Sequence, residues 1–170
     1  MLTYWIHGGG RMCFDIVKTR VLRESDVSDH YLDWFSDAAV QKWIAFKPKN
    51  LGDLQNYVAL DFSSSDCLLV GIFCNACSRH IGNIRFTLGG CKTEAWVGFL
   101  IGDRNHRNKG VTQIAYPKAL ELARAKFEKL KFIQLRVSKD NLVAIHLYEK
   151  LGFVLLERVD NDYIYRQDAK

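Results

Sequence analysis

No apolar run in this sequence is long enough to cross a membrane as a helix. The longest, residues 67–74, holds eight residues and includes Gly71, whereas a spanning helix needs about 20. The opening segment, MLTYWIHGGGRMCF, does not pair a basic start with a long apolar stretch, so no signal peptide is expected and a cytoplasmic location is. Proline is scarce, with only Pro48 and Pro117. Repeats, internal linkers and low-complexity tracts are missing, and the composition excludes a disordered chain, a collagen or a coiled-coil rod. The 170 residues are 48% apolar and 25% charged. These values fit one globular domain that buries its core without disulfides. Residues 1–13, with Gly8, Gly9 and Gly10, read as a flexible lead, and residues 14–170 as the domain.

The charge balance is basic but modest. Lys and Arg total 24 against 19 Asp and Glu, for a net +5. Basic clusters interleaved with aromatics, the footprint of a nucleic-acid surface, are missing. No nucleic-acid or membrane partner is expected. The positive charge instead gathers at Arg104, Arg107 and Lys109, and again at Arg124, Lys126, Lys129 and Lys131, which suits an anionic ligand.

Five cysteines, at 13, 67, 74, 77 and 91, make an odd set that reads as free thiols. Cys74 and Cys77 have metal-ligand spacing, and Cys67, Cys91 and His80 are near in sequence. A structural zinc site needs four ligands, and no second CxxC or paired histidine completes one. No metal is expected, and a zinc-stabilised interaction module built on Cys74 and Cys77 is kept as an alternative.

Period and punctuation give the elements. Residues 14–23 read as a strand and 25–37 as a helix capped by Ser25 or Asp26. Asn50 caps a second helix through Leu54, Tyr57, Val58 and Leu60. Residues 67–73 and 79–88 form a hairpin, and 93–101 a strand interrupted by Gly98, the mark of a bulge or of close ligand approach. Residues 110–130 read as a long helix containing Pro117, which predicts a kink or a restart near Tyr116. A strand at 132–138, a short helix at 141–151 ended by Gly152 and a final hairpin over Asp160 and Asn161 complete the chain. Adjacent strands mixed with helices predict an α/β (α+β mixed) fold.

The strongest chemistry lies at 99–115. A strand ends at Ile101, a basic glycine-containing loop follows, and a helix begins. Amides at a helix start and a glycine that lets phosphate approach make this an anion-site candidate. It is neither a Walker loop nor GxGxxG.

Arg107-Asn108-Lys109-Gly110-Val111-Thr112 resembles the (Gln/Arg)-x-x-Gly-x-(Gly/Ala) loop of the GNAT acetyltransferase superfamily. Residues 141–153, NLVAIHLYEKLGF, resemble that superfamily's Asn-x-x-Ala-x-x-Leu-Tyr-x-x-x-Gly-Phe motif, in the expected order and spacing. LRESDVSDHYLDWFSD (22–37) and IGNIRF (81–86) resemble the ribosomal-protein N-terminal acetyltransferase-like branch. The resemblance covers residues 14–167. It implies a twisted mixed sheet of about seven strands flanked by helices and splayed between strands 4 and 5 to admit the pantetheine arm of acetyl-CoA. It further implies that the backbone of Phe99, Leu100 and Ile101 bonds the pantetheine, that Arg107, Asn108, Lys109, Gly110, Val111 and Thr112 cradle the pyrophosphate, and that Asn141 is a CoA contact. Thr112 replaces the family's final Gly or Ala, and Pro117 falls inside its following helix.

Acetyl transfer to an amine asks for a deprotonated acceptor, a handicap of roughly 4–5 kcal/mol for a lysine-like amine at pH 7. It also asks for an oxyanion donor and a proton for the leaving thiolate. The resemblance places Tyr148 as the general acid. Relatives often carry an acid two residues before the strand glycine. That position is Trp96 here, and Glu94, two residues further back on the same strand face, is the candidate base. His106 and His146 are the other titratable candidates, read as a phosphate or solvent group and as a surface group. Trp34, Phe35, Trp43 and Phe46 would line the acceptor pocket or pack the core. With no dense acidic cluster, a polyamine acceptor is disfavoured. A small-metabolite amine such as an amino sugar is the leading expectation. A ribosomal-type protein N-terminus and a non-catalytic acetyl-CoA-binding domain are the alternatives. Oligomeric state stays open, a dimer included.

Overall fold

A computed structural model describes residues 17–170. The expected lead, and the start of the first strand before Val17, lie outside the described residues. Seven strands form one sheet: β1 (Val17–Val21), β2 (Cys67–Cys74), β3 (His80–Leu88), β4 (Glu94–Ile101), β5 (Phe132–Ser138), β6 (Val154–Val159) and β7 (Asp162–Asp168). Their order is β1-β2-β3-β4-β5-β7-β6. Every pairing is antiparallel except β4 with β5. That parallel pair is crossed by α4 (Val111–Lys126), as a parallel connection requires.

The β4–β5 seam is short. Its register covers only Glu94↔Phe132, Ala95↔Ile133 and Trp96↔Gln134. From Val97 onward β4 keeps its β3 neighbour, up to Ile101↔Gly82, but has no partner on the β5 side. Beyond Gln134, β5 pairs only with β7, through Ser138↔Asp162. The strands therefore part, and the sheet opens into a V at its centre.

Each face of the sheet carries a core. On one, Ala95 and Val97 pack with Val111, Ala115, Tyr116, Ala119 and Ala123 of α4. On the other, α1 (Asp29–Asp33) and α3 (Leu51–Ser63) bring Tyr31, Leu54 and Val58 against Leu69 and Leu100. Alternation along β4 therefore sends Phe99 to the α4 face and Trp96, Gly98 and Leu100 to the α1–α3 face.

Three expectations need correction. The helix expected over 25–37 is broken into a 3-10 turn at Glu24–Asp26, α1, a second 3-10 turn at Trp34–Ser36 and, beyond it, α2 (Ala38–Gln41). Asp26 does not cap it. Its carboxylate is held by the Arg20 guanidinium at 2.6 and 2.5 Å and by the Arg23 amide at 2.9 Å, so Ser28 caps α1 instead. Second, α4 does not restart at Pro117 but runs unbroken from Val111 to Lys126. Loss of one backbone bond costs about 3 kcal/mol, and burial of Tyr116, Ala119, Leu120 and Ala123 offsets it. The helix also stops four residues short of the expected end. Third, Gly98 is not a bulge, which leaves the other expectation for it, close approach of a ligand. It pairs in register with Arg85, and a Cβ there would meet nothing within 4 Å.

Candidate active site at the splayed seam

The loop from Gly102 to Gly110 is shaped from within. Arg107 turns its guanidinium inward. Nε donates to Ile101 O at 2.9 Å, Nη2 to Gly102 O at 2.6 Å and Nη1 to Asp37 Oδ2 at 2.6 Å. Arg104 adds a bond to the same Asp37 oxygen at 2.9 Å. The Arg107 bond, backed by the Ala39 amide, holds the Asp37 carboxyl down at about 2. Arg107 is thus spent on the loop's own carbonyls.

The loop's amides are not used in the same way. Asn108 (φ 57) and Gly110 (φ 71) both sit in the left-handed region. Gly110 is the N-cap of α4 with no side-chain bond, and the first helical bond starts from the Gln113 amide to Gly110 O. Among the described residues, the amides of Asn108, Lys109, Gly110, Val111 and Thr112 have no protein acceptor. Unbonded N–H groups at a helix start are the kind of donor that binds an anion. Thr112 is buried in the first turn of α4.

On the opposite side of the V, α5 (Leu142–Lys150) begins at Asn141, whose side chain accepts from the Ala144 amide at 3.3 Å. The helix ends in a Schellman turn. The Phe153 amide donates to Tyr148 O at 3.0 Å and the Gly152 amide to Glu149 O at 3.0 Å, with Gly152 at φ 88. This turn lays Phe153 beside Tyr148 (ring centroids 6.2 Å). Tyr148 in turn lies 5.4 Å from Phe99 on the unpaired part of β4. Burial pushes the Tyr148 hydroxyl up to about 12, with no bonded partner acting on it. Replacing Gly152 by Ala forces a Cβ into the left-handed region and within 3.2 Å of Gln167 Nε2, at a cost of about 1–2 kcal/mol. The expected result is a melting point lower by about 3–6 °C, read by calorimetry.

The family model described as "Acetyltransferase (GNAT) domain" matches residues 18–154. The chain belongs to the GNAT acetyltransferase family. No match is found among curated proteins. Solved structures share the fold. A GNAT acetyltransferase from Bacillus anthracis superposes with a TM-score of 0.75 at 17% identity, covering 91% of this chain and 95% of that one. A spermidine N-acetyltransferase from Vibrio cholerae in complex with CoA and spermine gives 0.72 at 18%, covering 88% and 92%. A ribosomal-protein alpha-N acetyltransferase in complex with coenzyme A gives 0.74 at 17%, covering 90% and 94%.

As a GNAT acetyltransferase, the chain is an acetyl-CoA-dependent N-acetyltransferase. Its residues fit acetyl-CoA on two observations. The unbonded amides at the start of α4 suit a pyrophosphate, and the V leaves the β5-facing edge of β4 open beside Phe99 and Leu100. The carbonyl of Ile101, at the end of that edge, is already taken by Arg107.

The structure thus brings Phe99 and Tyr148 together, in the same core cluster as Val111 at the start of α4, and sends Leu100 to the other face of β4. It does not bring Glu94 to them. Glu94 stands at the closed end of the seam, bonded by Gln134 Nε2 at 3.1 Å and 3.7 Å from Arg166. Gly98 lies four residues further along the strand, about 13 Å away. Trp34 and Phe35 are buried, Phe46 stacks on Tyr57 at 4.2 Å, and Trp43 is exposed. Asp37 was not singled out by the sequence, and neither was Gly102, whose Cβ would lie 1.8 Å from Trp34 Cδ2. Both act through residues distant in sequence. His80 is buried among Tyr31, Trp34 and Phe73, and desolvation pulls its imidazole down to about 4.

Proposed function

We propose that this enzyme acetylates the primary amine of a compact small metabolite, an amino sugar being one example. Bound acetyl-CoA would supply the activated acyl thioester. The amides of Asn108 to Thr112 bind its pyrophosphate, and the parted edge of β4 takes its pantetheine arm. Asn141 flanks the arm at the start of α5. Tyr148 keeps its proton at working pH and hands it to the departing thiolate. The acceptor enters from the α1–α3 face over Gly98, where a Cβ would meet nothing, beside the partly exposed Trp96 ring. In this reading Glu94 is a structural carboxylate and the amine reacts from its free-base fraction.

One observation carries the choice of acceptor. The enclosed carboxylates on that side are already partnered: Asp26 by Arg20, Asp37 by Arg104 and Arg107, Asp61 by Arg85, and Asp103 by His106. A polycation would leave these pairs to compete for it, whereas a single amine on a compact frame needs no anionic channel. The test is release of free CoA thiol across a panel of amino sugars, polyamines and peptides with free N-termini. The amino sugars are expected to give the highest kcat/KM. Faster turnover of a polyamine or an N-terminal peptide would overturn the assignment of acceptor.

A further inference from the structure

The fold closes the β2–β3 turn against the loop that leads into α4. There it gathers Cys74, Cys77 and His106, with one donor atom from each within 4.8 Å of the other two. We propose that these three side chains bind one thiophilic divalent cation of the zinc type, with a water as fourth ligand. This site stands apart from the acetyl-transfer reading and does not depend on it.

The geometry comes from two elements. Cys74 ends β2, and its amide donates to Arg79 O at 2.9 Å. That bond closes a tight turn over residues 75–79, with Ser78 at φ 54. The turn folds the Cys77 sulfur back beside that of Cys74. His106 comes from the 3-10 turn Arg104–His106. Its Nδ1 lies 3.0 Å from Asp103 Oδ1, and Asp103 is only 4% exposed. Such a carboxylate fixes the ring's orientation and engages Nδ1, leaving Nε2 as the open donor. Zinc bound at 2.3 Å to sulfur and about 2.0 Å to nitrogen holds its ligands roughly 3.5–3.8 Å apart. The three atoms, within 4.8 Å of one another, therefore need to close by about 1.3 Å at most.

The donor set selects the ion. Two thiolates and an imidazole suit zinc and exclude the oxygen-seeking magnesium, calcium and manganese. Two thiolate charges neutralise a divalent ion, so the site tolerates Arg79, whose guanidinium lies against Cys77. Cys77 is exposed and Cys74 buried, which gives the ion an entry on one side and a dry wall on the other. Occupancy would tie the hairpin turn to the loop that carries the unbonded amides.

The test uses the reduced full chain. Zinc uptake is measured by competition with a chromophoric chelator, and cobalt substitution reads the thiolate-to-metal charge-transfer band. One equivalent is expected, with the cobalt band present. Cys77→Ser, at an exposed position, is expected to abolish both. His106→Ala is expected to weaken binding at least tenfold, and Asp103→Asn by about 10–100-fold. Cys13→Ser and Cys91→Ser are expected to bind like the parent. Circular dichroism and metal-free melting check that each variant folds. Reduced protein that takes up no zinc, an equivalent that survives Cys77→Ser, or one lost in Cys13→Ser or Cys91→Ser would overturn the proposal.

Discussion

Tyr148→Phe is expected to lower kcat by about 10²–10⁴-fold, the ordinary worth of a positioned proton donor. The phenyl ring keeps its packing against Phe99 and Phe153, so acetyl-CoA affinity and melting temperature should hold near the parent values. The loss then falls on kcat and kcat/KM together, the signature of an interaction made in the transition state. The pH dependence adds a second readout. Burial holds the hydroxyl at about 12, so it stays protonated throughout the usable range. The parent rate should climb with the free-amine fraction, about tenfold per pH unit below the acceptor's pKa. No alkaline decline from Tyr148 should appear below about pH 11. A Phe variant with full rate at every pH would remove Tyr148 from the chemistry.

Gly102→Ala is expected to cost about 3 kcal/mol, the upper end for overpacking, and to weaken acetyl-CoA binding with it. A Cβ at this position would lie 1.8, 2.1 and 2.3 Å from Cδ2, Cε3 and Cγ of Trp34, so something must move. The ring is held by Tyr31 at 4.7 Å and His80 at 4.8 Å. The backbone is pinned from both ends. The Gly102 and Asp103 amides donate to Ile81 O at 3.1 and 3.2 Å, and Gly102 O accepts from Arg107. Yielding at the backbone shifts the loop that presents the five amides. Urea unfolding should show a lower midpoint at unchanged slope, and calorimetric titration a weaker acetyl-CoA affinity. Adding Trp34→Phe should recover part of both losses, since the two sites share one contact. A midpoint within error of the parent would contradict this account of the loop.

What the sequence disclosed, and what it hid, follows from the range of the interactions involved. Helices with their own caps were legible. Asn50 accepts from the Asp53 amide and Asn141 from that of Ala144, both within three residues. The turn at Gly152 is equally local, and it places Tyr148 without reference to the rest of the chain. The strands flanking the V were legible from their apolar runs, and the splay came from the family resemblance. The first helix was misjudged because Asp26 answers to Arg20, a residue of the neighbouring strand. Arg107 read as a phosphate ligand because its partner, Asp37, lies 70 residues away. No local pattern records that distance. Glu94 shared the correct strand face, but face alone does not give depth along a strand. The same limit applies to Cys74 and Cys77, whose third neighbour came not from the nearby His80 but from His106, in the loop beyond the end of β4.

The measurement that bears most directly on the central claim is the melting temperature of the protein with and without acetyl-CoA. At about 100 times its dissociation constant the ligand adds about 2.7 kcal/mol, which for a chain of this size raises the midpoint by about 5–10 °C. That rise is the result expected if the parted seam and the free amides of Asn108 to Thr112 receive the cofactor. An unchanged midpoint at saturating acetyl-CoA would contradict the account.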